Sequence, residues 1–159
     1  MVSGTSLALS DWRAVAFADD GNLPHGRVRN TDLLRWQAVL DEVIRRGWPL
    51  TFERNGDDLP APTAQDAFST ARDASLVFKV WPTPAVQVNL FPLDAKSIDF
   101  DFDLRELNTQ SSLDALCDFV RVVGQATRGD VVLTPEGTEA APFCVYRHAS
   151  GLFELLSRR

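Results

Sequence analysis

Apolar positions recur every three or four residues in two stretches of the chain and every second residue in most others. From Asp32 to Arg46, Leu33, Trp36, Leu40 and Val43 share one stripe, widened by Leu34, Val39 and Ile44, which is the spacing of a helix with one buried face. Asn30 or Thr31 is placed to cap its start, Asp32 suits its positive end, Arg45 and Arg46 suit its negative end, and Gly47 follows where helices stop. A second helix is expected from about Leu113 to Thr127, with Leu116, Val120 and Val123 as its stripe, Ser111 and Asp114 as a capping pair and Gly129 at its close. Gly124 inside it costs about 1 kcal/mol relative to alanine, which marks a place of close packing. Thr63 to Ala71 reads as a short helix, Thr63 capping with Asp66 three residues on.

Elsewhere the period is two. Leu50 and Phe52 alternate with polar neighbours and run into the turn signal Asn55-Gly56-Asp57-Asp58. A three-stranded meander follows over Leu76–Trp81, Ala85–Phe91 and Ser97–Asp103, and three further strands over Val131–Thr134, Pro142–His148 and Leu152–Leu156, the last two joined at Ala149-Ser150-Gly151. Residues 12–17 fit a short strand or a helical turn equally well, 19–24 are turn chemistry, and 25–30 read as a mildly basic connector. The order predicts an α+β fold, one largely antiparallel sheet of about six to seven strands with two main helices on one face. It places a partly loose N-terminal extension over 1–29 and a single domain over 30–159.

At 159 residues with 45% hydrophobic content, the chain is long enough to bury one ordinary core. Its net charge of −6 argues against a nucleic-acid partner or an anionic membrane surface, which would repel it at long range. No apolar run nears the ~18 residues of a membrane span, and residues 1–18 lack the basic start of an export signal; the expected location is cytoplasmic. Cys117, in the second helix pattern, and Cys144, in a strand pattern, read as buried thiols.

Charge placement is uneven. Residues 94–118 hold seven acids against Lys96 and Arg105, a net −5, while the rest of the chain nearly balances. On the strand Ser97–Asp103, Ile98, Phe100 and Phe102 point one way and Asp99, Asp101 and Asp103 the other. Loop lengths set Asn89 opposite Asp99, Gln87 opposite Asp101 and Lys79 opposite Gln87. The outward face then carries Lys79, Trp81, Gln87, Asn89, Phe91, Asp99, Asp101 and Asp103, an acidic surface bearing aromatics.

No catalytic residue, metal ligand or cofactor is expected. Phosphate-cradling glycine patterns and a glycine-flanked nucleophile are both missing. His25 and His148 read as exposed, and Cα atoms two apart on a strand, ~7 Å, are a poor start for a metal site. The expectation is an acidic protein-interaction module, in one version an immunity- or antitoxin-type inhibitor, that binds a basic protein partner through Lys79, Trp81, Gln87, Asn89, Asp99, Asp101 and Asp103. The alternatives are a carboxylate-based enzyme using Asp99 or Asp101 with Lys79, and a structural or assembly subunit whose acidic face is only solvated.

Overall fold

The computed structural model describes residues 2–16, 23–69, 73–135 and 142–156. Their strands form a single antiparallel sheet, and the fold is α+β, with ten strands where six or seven were expected. The strands are β1 (Val2–Gly4), β2 (His25–Arg29), β3 (Leu50–Arg54), β4 (Asp57–Leu59), β5 (Leu76–Thr83), β6 (Val86–Phe91), β7 (Ser97–Phe102), β8 (Val131–Thr134), β9 (Cys144–Arg147) and β10 (Leu152–Leu155). Across the sheet they run β1-β10-β9-β8-β2-β7-β6-β5-β3-β4. The helices are α1 (Leu9–Val15), α2 (Leu33–Arg45), α3 (Ala64–Phe68) and α4 (Gln110–Thr127).

All four helices cover one face of the sheet. From α2, Trp36 packs edge-on to Phe68 of α3 and tilted over Phe78 of β5. Phe119 of α4 meets Phe100 of β7 at 5.2 Å, and Trp12 of α1 meets Phe102 and Phe143. Trp48, just past α2, stacks near Phe119 with the Arg46 guanidinium over its ring. Ile98, Phe100 and Phe102 are buried on that side, as the alternation requires.

The two main helices form where the periodicity places them, with different caps. Asp32, rather than Asn30 or Thr31, accepts the Arg35 N–H and opens α2. Thr109, rather than Ser111, accepts the Ser112 N–H, so α4 starts three residues earlier than expected. In α3, Thr63 caps Asp66 as expected. The buried stripe of α2 is narrower than the sequence suggests: Trp36, Val39, Leu40 and Val43 are inside, while Leu33, Leu34 and Ile44 are exposed. At ~100° per residue, Leu34 points nearly opposite to the mean direction of the buried four.

Two expectations are corrected. Residues 1–29 are not a loose extension wherever they are described. β1 pairs with β10, Leu7 and Trp12 are in the core, and β2 lies in the middle of the sheet between β7 and β8. Residues 12–15 belong to α1, and most of the turn expected over 19–24 lies outside the described residues. The register of the meander also differs. Asn89 faces Asp101, Phe91 faces Asp99, and Lys79 faces Asn89. β5 continues through Pro82 to Thr83, turns at Pro84-Ala85 and carries a bulge between Val80 and Thr83, while 92–96 form a wider loop closed by Ser97 N–H to Asp94 O. Both pairings slip by two residues, which leaves the paired side chains on their expected faces.

Candidate functional site

Among the described residues no helix packs on the opposite face of the sheet, and the register arranges its side chains in rows. One row crosses six strands as Thr134, His25, Asp101, Asn89, Lys79 and Thr51. The next holds Val132, Arg27, Asp99 and Phe91. Directly opposed residues in such rows have Cβ atoms about 4.5–5.5 Å apart, so they interact as neighbours.

Of the predicted partner-binding residues, Lys79, Gln87, Asn89, Asp99 and Asp101 share this face, in a different electrostatic state from the one expected. Asp99 accepts from Arg27 Nε at 2.5 Å and from the Ser97 hydroxyl at 2.8 Å. Asp101, only 8% exposed, accepts from Asn89 Nδ2 at 2.8 Å, and Asn89 Oδ1 accepts from Gln87 Nε2 at 2.8 Å. Lys79 is paired with Glu53 at 2.6 Å. Asp103 leaves the row altogether. It caps the short 3-10 helix Leu104–Glu106, and its hydrogen bond from the Arg105 side chain holds its carboxyl below the usual range. Burial pushes Glu106 up, although it accepts the Gln87 N–H. The acidic strand is therefore a hydrogen-bonded ladder with its own cations. Phe91, opposite Asp99, is half-buried on the face, and Trp81 is half-buried within the β5 bulge.

The cations that match β7 come from the segment read as a connector. His25, Arg27 and Arg29 alternate along β2 as Asp101, Asp99 and Ser97 do along β7, and the two strands pair antiparallel in that register. The signal was present in the sequence as two complementary alternating runs. It was hidden because β2 contributes few large apolar groups. Gly26 has no side chain, and the ring of Phe100 fills its place, so that a Cβ built on Gly26 would fall 2.0 Å from Phe100 Cζ.

Beside this ladder, where β2 leaves the sheet toward α2 and α4 enters β8, lies a cavity of 440 Å³. Arg27, Arg29, Arg35 and Arg128 line it with His25, Thr134 and the single acid Asp130. Arg35 is held by Nε to the Thr127 carbonyl at 3.0 Å and by Nη1 to Asp32 at 2.8 Å. Asp130 is engaged by Arg147 at 3.2 Å and by the His148 N–H at 2.9 Å. Sequence reasoning did not single out these arginines, since they come from three separate segments, β2, α2 and the end of α4, and only the fold gathers them.

The remaining chemistry-bearing residues are placed as follows. His25 is exposed at the cavity; His148 is half-buried with an Nδ1 that has no partner among the described residues. Cys117 and Cys144 are free, buried thiols; burial pushes Cys117 up to about 12 and Cys144 higher still. Lys79 lies two strands from Asp101, ~10 Å by sheet spacing, and is committed to Glu53. Among the described residues no group of three or more His, Cys, Asp or Glu could hold a metal ion, and no helix is long and apolar enough to cross a membrane. The chain matches no protein-family model, no curated protein and no solved structure.

Proposed function

We propose that this chain is a small protein-interaction module that docks a partner on the bare face of its sheet, an inhibitor of the immunity or antitoxin kind being the version its charge favours. The observation that carries the reading is the asymmetry of the sheet. Among the described residues every helix covers one face, and the other presents Lys79, Gln87, Asn89, Asp99 and Asp101 already fixed by hydrogen bonds, with Phe91 beside them and Trp81 at the β5 bulge. Side chains ordered before association lose less entropy on binding, and half-exposed aromatics are the usual anchors of an interface. The charge window 94–118 supports a basic partner. A carboxylate has about four acceptor positions, so Asp99, which accepts from Arg27 and Ser97, can still receive a partner's cation.

The test is capture from lysate at low salt with three baits: wild type, Trp81→Ala at the β5 bulge, and Leu34→Ala/Ile44→Ala on the exposed side of α2. The expected result is a partner retained by wild type and the helix variant and lost or weakened by Trp81→Ala, with an association rate that falls as salt rises. A partner that survives Trp81→Ala and is lost with the helix variant would overturn the assignment of the face.

A further inference from the structure

We propose that the cavity at the end of β6, between α3 and the loop 92–96, seats a lysine or arginine side chain of the docking partner, an inference that rests on the reading of the bare face as a docking surface. The first argument is the charge of the lining. The cavity measures 590 Å³, and Asp94 is the one ionisable residue among the described residues that line it. Its side chain accepts the Lys96 N–H at 2.9 Å, and the Lys96 side chain lies outside the lining. Asp99, Asp101 and Asp103 are each engaged by a neighbouring side chain; Asp94 is engaged by none among the described residues. A carboxylate has about four acceptor positions, so this one has room for the donors of a cation. It also opens the window 94–118, which holds most of the excess negative charge and draws cations toward it.

The second argument is the chemistry of the walls. Phe68 from α3, Leu76 from the start of β5, and Phe91, Pro92 and Leu93 form much of the rest of the lining. Lysine and arginine lay an aliphatic stem along apolar surface and carry their charge at the tip, and the face of an aromatic ring attracts the cation further. One carboxylate among apolar walls suits both halves of such a side chain. An anionic guest would meet a carboxylate and no cation among the described lining residues. Leu93 is 76% exposed, and a guest that covers it removes apolar surface from water. The third argument is continuity. Phe91 lines the cavity and also stands opposite Asp99 on the bare face, so a partner docked on that face can reach the cavity with a long side chain.

The experiment titrates Nα-acetyl-lysine amide, Nα-acetyl-arginine amide and the uncharged Nα-acetyl-norleucine amide into wild type and Asp94→Asn at constant ionic strength, following amide chemical shifts. D94N keeps an oxygen for the Lys96 N–H and removes only the charge. The expected result is saturable shifts centred on Phe68, Leu93 and Ala95 with at least one cationic probe and none with the norleucine amide. Binding should weaken about tenfold in D94N, the lower end of what a hydrogen bond to a charged group contributes. As a fourth bait in the capture test, D94N should retain less partner than wild type. The proposal is overturned if neither cationic probe binds, if the norleucine amide binds as well, if the shifts centre elsewhere, or if D94N with an unchanged melting temperature binds equally. The probes need no partner, so the two readings fail separately. Probes that do not bind while a partner is still lost with Trp81→Ala overturn the cavity alone and leave the docking face standing. Probes that bind while no captured partner depends on Trp81 defeat the docking face, and with it the partner's side chain as the guest.

Discussion

Two glycines show how single atoms set the packing. Gly124 lies in α4, where alanine would gain about 1 kcal/mol of helix propensity. A Cβ there would meet the ring of Tyr146, which is 1% exposed and has nowhere to move. Overpacking a tight core costs about 1–3 kcal/mol or more, so Gly124→Ala should lower the denaturation midpoint although it favours the helix. An unchanged or raised midpoint would show that the Tyr146 ring yields. The cysteines make a second prediction at this scale. With Cys117 held protonated by burial up to about 12, and Cys144 higher, neither supplies the thiolate that reacts. A colorimetric thiol reagent should modify neither in the native protein and both after denaturation.

Asp99 is more than a solvated surface charge. Its side chain is 16% exposed and takes a charge-assisted bond from Arg27, so Asp99→Asn should cost about 1–3 kcal/mol, read as a shift in the urea midpoint. Glu106 gives the matching pH prediction. Burial raises its carboxyl, so the native state holds that proton more tightly than the unfolded chain does. The group therefore favours folding more as pH falls through the raised value toward the ordinary glutamate range, about 4.3, and least at neutral pH. E106Q keeps an oxygen for the Gln87 N–H and removes the charge, so its midpoint should exceed the wild type's at pH 7 and converge with it near pH 4.

At the scale of elements, β7 is the pivot. Its inward Phe100 contacts Phe119 of α4, lies near Phe102 and covers Gly26 of β2, while its outward Asp99 holds Arg27 of the same neighbouring strand. Phe100→Ala should cost about 3–5 kcal/mol, and because it uncovers Gly26 it should loosen β2 in particular. Hydrogen exchange is the measurement: amides of Val28 and Arg29 should lose more protection than those of the β9–β10 hairpin. α4 crosses over β2 to join β7 and β8, which are parallel to each other with β2 between them. The two outer strands and the helix thus enclose the one strand that the hydrophobic pattern does not announce.

For the whole molecule, the consequence is that a chain beginning at residue 30 should not fold. It would lack β2, leaving β7 and β8 with unpaired inner edges, and would strip Trp12 from Phe102 and Phe143. Buried backbone groups without partners are too costly to persist. Size-exclusion and circular dichroism of residues 30–159 should show an aggregated or unfolded species; a monomer with native-like spectra would refute the central placement of β2.

What the sequence determined by itself is what depends on neighbours along the chain. The stripes of α2 and α4, the alternation of β5 to β10, and the Asn55-Gly56 turn with positive φ at both residues all follow from local spacing and backbone sterics. Face assignment survived an error in register because side chains repeat every two residues, and the error was two. Tertiary structure alone decided what depends on residues far apart in the chain. Gly26 belongs to a strand because a ring 74 positions away fills its place, and Asp99 is neutralised by an arginine 72 positions away. The arginine-lined cavity exists because β2, the first turn of α2 and the end of α4 meet there. Charge counted along a chain gives the total; only the fold decides which charges become neighbours.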